Sequence, residues 1–223
     1  MLEDDLLLDS ARRPSDNLAN ESAKNSASGR PKNTSAGVLQ SWYALRATYS
    51  RELKVQAHLQ EKGVRTFIPM MWQRCPVKPG MTTNTTSSPT GSGISKHLVP
   101  AISNLVFVYW TRDGIDSYIR SFGDTRPVNY YWDRTINAPL TIADKDMENF
   151  IAVASTLDED LIYLTEISDK LREGQTVRVK EGAFKGVEGK IVRIRKSRRI
   201  LVELPGMLAV ASTYVAPEEI EII

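Results

Sequence analysis

The C-terminal part of the chain consists of short β-prone runs that are interrupted by turns containing glycine or proline. An interior glycine costs a helix about 1 kcal/mol and an interior proline about 3 kcal/mol, so the segment is a poor helix. β-Branched residues favour strands instead. The five predicted strands are Val177 to Val179, Ile191–Ile194, Ile200–Leu204, Leu208–Val215 and Ile220–Ile223. Short strands in this arrangement predict a small β-barrel.

Upstream, residues 41–156 alternate between strand-like and helix-like segments. Aromatic and apolar runs predict strands at 42–47, 66–72, 97–110 and 127–132. Helix formers predict a helix at 51–62, and apolar residues at helical spacing predict two more, at 115–122 and 147–154. Asp144 is placed to cap the last of these helices. This order predicts an α+β domain in which helices pack on a ferredoxin-like antiparallel sheet.

Polar segments divide the chain between these regions. Residues 1–40 contain too few apolar side chains to offset the entropy of ordering, and are predicted to be a disordered tail. Residues 76–95, rich in Ser, Thr, Pro and Gly, are predicted to be a flexible insertion between two strands of a hairpin. Residues 157–171 are acidic and are predicted to link the first domain to a barrel domain at 172–223.

Composition argues against several classes of protein. The single cysteine, Cys75, excludes an internal disulfide and a cysteine-only metal site. The two histidines, His58 and His97, accompany no nucleophile–base pair, no paired catalytic carboxylates and no phosphate-binding glycine loop. The acidic start and the absence of a long apolar run argue against a secretory signal and a membrane span. We therefore expect a cytoplasmic monomer that is not an enzyme and needs no metal or cofactor.

Positive charge is concentrated in two places. Arg51, Lys54, His58 and Lys62 are spaced 3, 4 and 4 residues apart, which places them along one side of the first helix. Residues 171–200 contain ten Lys and Arg against three acids. Strand alternation puts Arg193 and Arg195 on the face opposite Val192 and Ile194. Each pattern is typical both of a solvated face and of a surface that contacts nucleic acid or an acidic protein.

The run from Val177 to Gly189 resembles a KOW motif, with Gly182, Phe184, Gly186 and Gly189 at its key positions. Gly182 and Gly186 would supply the positive φ of its turns. Residues 41–223 as a whole resemble NusG-type transcription elongation factors, through Trp42–Leu45, the helix at 51–62 and Asn104–Val108. Within that family the chain resembles the specialised RfaH and UpxY types. The segments that carry the UpxY resemblance are Leu98–Ile102, Trp132–Arg134, Phe150–Val153 and Leu204–Gly206.

The resemblance implies an N-terminal NGN domain followed by an SH3-like KOW barrel, and a factor that suppresses pausing or termination, in the UpxY type at polysaccharide operons. It implies that the NGN domain binds the clamp helices of the largest RNA polymerase subunit, with Trp42, Leu105 and Phe107 as candidate contacts. The alternative is that these three side chains are core residues of the domain. It also implies contact with the non-template DNA strand. The candidate DNA-binding residues are Arg51, Lys54, His58, Thr125 and Arg126.

The resemblance leaves the partner of the barrel open, since general factors use it to hold either Rho or a small-subunit ribosomal protein. In the RfaH type the barrel segment can refold into helices, but its glycines and Pro205 predict that it stays β here. Ser103-Asn104-Leu105 stands where general factors carry Pro-Gly-Tyr. A ribosome-associated RNA-binding protein with a KOW motif is the alternative, and it would explain the basic barrel but not the domain before it.

Overall fold

A computed structural model describes residues 39–76, 94–166, 168 and 173–223. The predicted tail lies outside these ranges except for its last two residues. Most of the predicted insertion (77–93), parts of the predicted linker and Arg172 also lie outside them. No helix within the described ranges is long and apolar enough to cross a membrane.

The described residues form an α+β fold with two main sheets. The helices are α1 (Glu52–Glu61), α2 (Arg112–Arg120) and α3 (Asp144–Ala154), with 3₁₀ turns at Gly123–Thr125 and Pro217–Glu219. The strands up to α3 are β1 (Gln40–Ala47), β2 (Arg65–Phe67), β3 (Met70–Pro76), β4 (Ile94–Pro100), β5 (Leu105–Thr111), β6 (Val128–Tyr130), β7 (Trp132–Asp133), β8 (Ala138–Pro139) and β9 (Thr141–Ile142). The later strands are β10 (Ile162–Leu164), β11 (Thr176–Val179), β12 (Glu188–Ile194), β13 (Ser197–Leu204), β14 (Leu208–Ala211) and β15 (Ile220–Ile222).

The first sheet is antiparallel and is built around β1. β5 pairs with β1 along its whole length, so that Tyr43 lies opposite Val108 and Leu45 opposite Val106. β2 continues the sheet beyond β5, while β6 and β9 pair with the other side of β1. With α1 between β1 and β2 and α2 between β5 and β6, this is the predicted split β-α-β plan.

Apolar side chains cover both faces of this sheet, because successive residues of a strand point to opposite sides. On one face, Tyr43, Leu45, Val106 and Val108 pack with the buried side chains of α1 and α2. We call the opposite face, which carries Trp42, Ala44, Leu105 and Phe107, the α3 face. It packs with buried residues of α3 and of the C-terminal strands.

Phe150 of α3 lies at the centre of the second core and is fully buried. Its ring makes edge contacts with Phe67, Phe107 and Tyr163, at centroid distances of 6.3, 5.9 and 6.5 Å. Tyr163 lies on β10, so this one ring joins the first sheet to a strand of the second. Edge-to-face pairs are worth about 0.5–1.5 kcal/mol each beyond the area they bury.

The second sheet is the predicted barrel, in strand order β10-β14-β13-β12-β11-β15. Gly182 and Gly186 have φ of +86° and +87° in the loop between β11 and β12, which is the conformation expected of them. Gly189 has another role. A Cβ at this position would lie 2.6 Å from the carbonyl oxygen of Leu201 on β13, so glycine is needed for the close approach of two strands.

The predicted acidic linker contains a strand, because β10 pairs with β14 in the barrel sheet. The same stretch is also bonded to the hairpin of β3 and β4. The indole nitrogen of Trp72 donates to Leu157 O at 2.9 Å, and the Tyr163 hydroxyl donates to Met70 O at 3.2 Å. Burial raises the pKa of Tyr163 to about 12. The acidic composition of this stretch predicted a simple connector. In the structure the stretch instead forms a β-strand and makes specific hydrogen bonds to the hairpin.

Both Arg74 and Lys96 of the hairpin form ion pairs with Glu159 in that stretch. Hydrogen bonds from Lys96, and then from Arg74, lower the pKa of the Glu159 carboxyl. The acidic residues of the predicted linker therefore include at least one that pairs with a specific basic partner.

Several local predictions were wrong. The strand predicted at 127–132 is divided at Tyr131 into β6 and β7, and the strand predicted at Leu208–Val215 ends at Ala211. The single strand predicted at 97–110 is two strands, β4 and β5, which are separated at 101–104 where Asn104 adopts φ of +64°. The strand predicted at 66–72 is likewise divided at Ile68 and Pro69. Asp144 does not cap α3, since it is the first residue of the helix and the N-cap is Ala143, which has no side-chain hydrogen bond.

Candidate functional site

The four residues of the basic stripe, Arg51, Lys54, His58 and Lys62, are all exposed on or beside α1. The helix is fixed by Val55 and Leu59, which are buried against the sheet. At about 100° per residue the stripe lies beside this buried face rather than opposite to it. The stripe therefore runs along the edge of the helix layer, next to the neighbouring elements.

An aromatic contact joins the stripe to α2. The ring of Tyr118 lies 5.5 Å from that of His58, and its hydroxyl is 3.3 Å from His58 Nδ1. On its other side Tyr118 meets the ring of Phe122 edge-on at 5.1 Å. Thr125 then donates its hydroxyl hydrogen bond to Phe122 O at 2.8 Å. His58 and Thr125, which are distant in sequence, are thus connected through Tyr118 and Phe122.

A second connection joins the loop before α1 to the segment that carries Arg126. Thr48 donates from its backbone nitrogen and its hydroxyl to Pro127 O, at 2.8 and 3.0 Å. Arg126 is exposed, and it lines a shallow cavity of about 270 Å³ with Arg120 and Asn129 among its neighbours. The first connection links His58 to Thr125, and the second links the loop before α1 to the residue that follows Arg126.

Side chains of this kind can bind a polyanion. Arg and Lys contact phosphates, and a histidine or arginine can also donate to a base edge. Sequence reasoning missed Tyr118, which positions His58, and Tyr49, whose ring lies 5.6 Å from the Arg51 guanidinium carbon. The apolar spacing of α2 identified Tyr118 only as a core residue. An aromatic residue directly before a basic helix was the available signal for Tyr49.

Trp42, Leu105 and Phe107, the candidate polymerase contacts, lie together on the α3 face. Trp42 is 1% exposed, and Leu105 and Phe107 are 0% exposed. The Trp42 ring packs on Tyr109 at 5.3 Å, and the exposed Arg65 lies over it at 5.0 Å. The structure brings the three residues together and buries them.

The cover of the α3 face consists of α3 and the barrel. α3 contacts β1 on one side and β13 and β14 of the barrel on the other. Near Leu105 the cover leaves a cavity of about 630 Å³, with Tyr131, Leu140 and the barrel residues Met207 and Leu208 in its lining. Part of this apolar face therefore borders a cavity rather than close-packed side chains.

Glu188 of β12 connects the barrel to α3. Its carboxylate pairs with Lys145 at 2.5 Å and with Arg178 at 2.8 Å, and its backbone nitrogen donates to Asn149 Oδ1 at 3.1 Å. The hydrogen bond from Lys145, and then that from Arg178, lower the pKa of the Glu188 carboxyl. The ion pairs lie at the edge of the interface, since the Lys145 side chain is 68% exposed.

The predicted basic face of the barrel is smaller than its charge count indicated. Arg199 is buried, and it donates at 2.7 Å to both Asp160 O and Ser212 O, so it holds the β10 region against the barrel. Arg178 is held between Glu188 and Glu221. Arg193 is exposed, as strand alternation predicted. Arg195 is also exposed, but it lies beyond β12, in a turn where it adopts φ of +51°.

Within the described ranges there is no group of three or more His, Cys, Asp or Glu side chains that could hold a metal ion.

Comparisons with known proteins match both parts of the chain. Residues 40–151, half of the chain, match the family described as transcription termination factor nusG. Residues 173–203 match the KOW motif. A similar solved structure is described as "Domain interaction in Thermotoga maritima NusG"; it is 17% identical, covers 83% of this chain and 98% of its own, and has a TM-score of 0.41. No curated protein matches the chain significantly.

We predict that Glu188→Gln weakens the attachment of the barrel to α3 in a pH-dependent manner. Because the folded-state pKa of Glu188 is lowered, its stabilisation is present above the ordinary carboxyl pKa of 4.5 and is lost as pH falls through the lower folded value. The variant should therefore melt at a lower temperature than the wild type at pH 7, and the difference should shrink below pH 4.5. Glu61→Gln, at the exposed end of α1, is the control. A difference that is the same at both pH values would contradict this role for Glu188.

Proposed function

The chain belongs to the NusG family, whose members are non-enzymatic transcription factors, and we propose that it acts in transcription elongation as an antitermination factor of the specialised type. In this proposal it binds RNA polymerase through the α3 face and the non-template DNA strand through the basic stripe and the 125–126 turn. The observation that carries the proposal is that all five predicted DNA-binding residues are exposed on a NusG-type domain, where His58 is linked to Thr125 through Tyr118 and Phe122.

The DNA contact is supported by the character of the exposed residues. Arg51 and Lys54 supply full positive charges, and His58 is positioned by Tyr118. Single-stranded DNA offers phosphates for the first two and base edges for His58 and Arg126. The resemblance to RfaH-type factors points to the same helix and the same turn.

The polymerase contact is supported by the apolar character of the α3 face. Interfaces often depend on a few aromatic or apolar side chains, each of which typically costs about 2 kcal/mol or more when truncated. Because Leu105 and Phe107 are fully buried beneath α3 and the barrel, this cover must move before a partner can reach them, and we propose that the barrel is the part that separates. In the proposed mechanism the barrel separates as an intact β structure, because Gly182, Gly186 and Pro205 make its segment a poor helix.

The specialised, operon-specific role is proposed from the resemblance to UpxY-type factors at 98–102, 132–134, 150–153 and 204–206. Such a factor would serve a polysaccharide operon instead of transcription in general. The partner of the barrel would be Rho or a small-subunit ribosomal protein. The candidate surface for this partner is the exposed side of the barrel that carries Arg193 and Arg195.

Operon specificity predicts a restricted distribution on the chromosome. Occupancy mapped by crosslinking and sequencing should be concentrated on one or a few operons. It should follow polymerase from the start of those operons to their ends. Occupancy spread evenly over most transcribed genes would contradict the specialised role and favour a general factor.

The DNA contact predicts that the double variant Arg51→Gln/Lys54→Gln loses suppression of pausing in reconstituted transcription. The variant should require a several-fold higher concentration than the wild type to suppress pausing. Loss of two phosphate contacts should also reduce the slope of log affinity against log salt by about 1.4, on the basis of about 0.7 per contact with single-stranded DNA. Pause lifetimes on a template with a defined non-template strand are the measurement.

The matched control is Arg193→Gln/Arg195→Gln, which removes the same charge from the exposed side of the barrel. This control should retain suppression of pausing. Equal activity of the Arg51/Lys54 variant and the wild type would show that the stripe is only a solvated face. Equal loss in both variants would point to net charge instead of a specific site.

A further inference from the structure

Tyr49 is the most exposed aromatic side chain among the described residues, at 83%. It adopts φ of +61°, and the next residue, Ser50, adopts φ of +51°. Left-handed backbone is uncommon for residues other than glycine, and two such residues in succession are costly unless the surroundings impose them. Arg195 and Lys196 adopt the same conformation in the turn between β12 and β13, so it is the exposed aromatic ring at this position that points to a function.

Hydrogen bonds on both sides hold this loop in place. Asn104 accepts from Ala47 N through its backbone oxygen at 2.9 Å, and from Ser50 N through Oδ1 at 3.0 Å. Thr48 is bonded to Pro127 O, as described above. Asn104 is one of the residues that stand where general factors carry Pro-Gly-Tyr, so this departure from the family pattern forms part of the support for the loop.

The position of the ring identifies the type of ligand. The Arg51 guanidinium carbon lies 5.6 Å from the ring centre, and an exposure of 83% leaves much of the ring open. An aromatic ring beside basic residues is how proteins bind single-stranded nucleic acid, with bases stacked on the ring and phosphates bound by the cations. In a duplex the base faces are already stacked on one another. The ring therefore fits an unpaired strand.

We infer that Tyr49 is a base-stacking residue for the single-stranded DNA that the basic stripe contacts. The inference rests on the proposed DNA contact and extends it to a residue outside the predicted set. Arg51 and Lys54 bind the backbone of the strand, and Tyr49 holds one of its bases at the start of α1.

Binding of the full chain to fluorescent ten-nucleotide DNA at low salt tests the inference. The probes are a base-containing strand and an abasic strand of the same length, which has the same phosphates but nothing to stack. Tyr49→Asn removes the ring and suits the left-handed backbone, while Tyr49→Phe retains the ring. Thermal melting should show that both variants are as stable as the wild type, because the ring is exposed.

Tyr49→Asn should weaken binding to the base-containing strand by about 5-fold or more and leave binding to the abasic strand unchanged, while Tyr49→Phe matches the wild type. Equal binding of Tyr49→Asn and the wild type to the base-containing strand would overturn the inference. The Arg51→Gln/Lys54→Gln variant separates this result from failure of the proposed function, since it should lose affinity for both strands. Absence of binding by the wild type to either strand would contradict the DNA contact itself.

Discussion

The two-sided hydrophobic character of β1 and β5 determines how the rest of the molecule is arranged. Tyr43, Leu45, Val106 and Val108 require a cover on one side of the sheet, and Trp42, Ala44, Leu105 and Phe107 require one on the other. The connections from β1 to β2 and from β5 to β6 supply α1 and α2 to the first side only. The second side is covered by α3 and the barrel. Without this cover the sheet would expose a large apolar surface, and the barrel is positioned where it buries that surface.

The two covers differ in how they are attached. α1 and α2 are part of the chain segments that connect the strands of the sheet, and their apolar residues form a continuous core with it. The other cover also forms a continuous apolar core with the sheet, and at its edge lie the ion pairs of Glu188 with Lys145 and Arg178. Exposed ion pairs contribute little to stability, typically 0–1 kcal/mol. Under the proposed function the barrel side is the one that opens, because the barrel, unlike α1 and α2, does not connect strands of the first sheet. The α1 side then presents a fixed DNA-binding surface.

Features that depend on local chemistry could be predicted from the sequence. The exposure of Arg51, Lys54 and His58 followed from helical spacing, and the turns at Gly182 and Gly186 followed from the need for positive φ. Features that depend on tertiary contacts could not. Arg199 belongs to a basic run, but it is buried and donates to Asp160 O, just before β10, a strand that no local pattern indicated. The conformation of Tyr49 depends on Asn104 and Pro127, which are more than fifty residues away in sequence. The sequence therefore signalled an aromatic residue before a basic helix, but not its exposed, left-handed conformation.

A reversible crosslink between the barrel and α3 tests the central claim, that the α3 face binds polymerase only after the barrel separates from it. Asn149→Cys and Glu188→Cys place thiols at positions already joined by a 3.1 Å hydrogen bond, and Cys75→Ser removes the only native cysteine. Polymerase binding is measured with the disulfide oxidised and then reduced, with each single-cysteine variant as a control. The oxidised protein should fail to bind polymerase and reduction should restore binding. Equal binding in both states would contradict the claim.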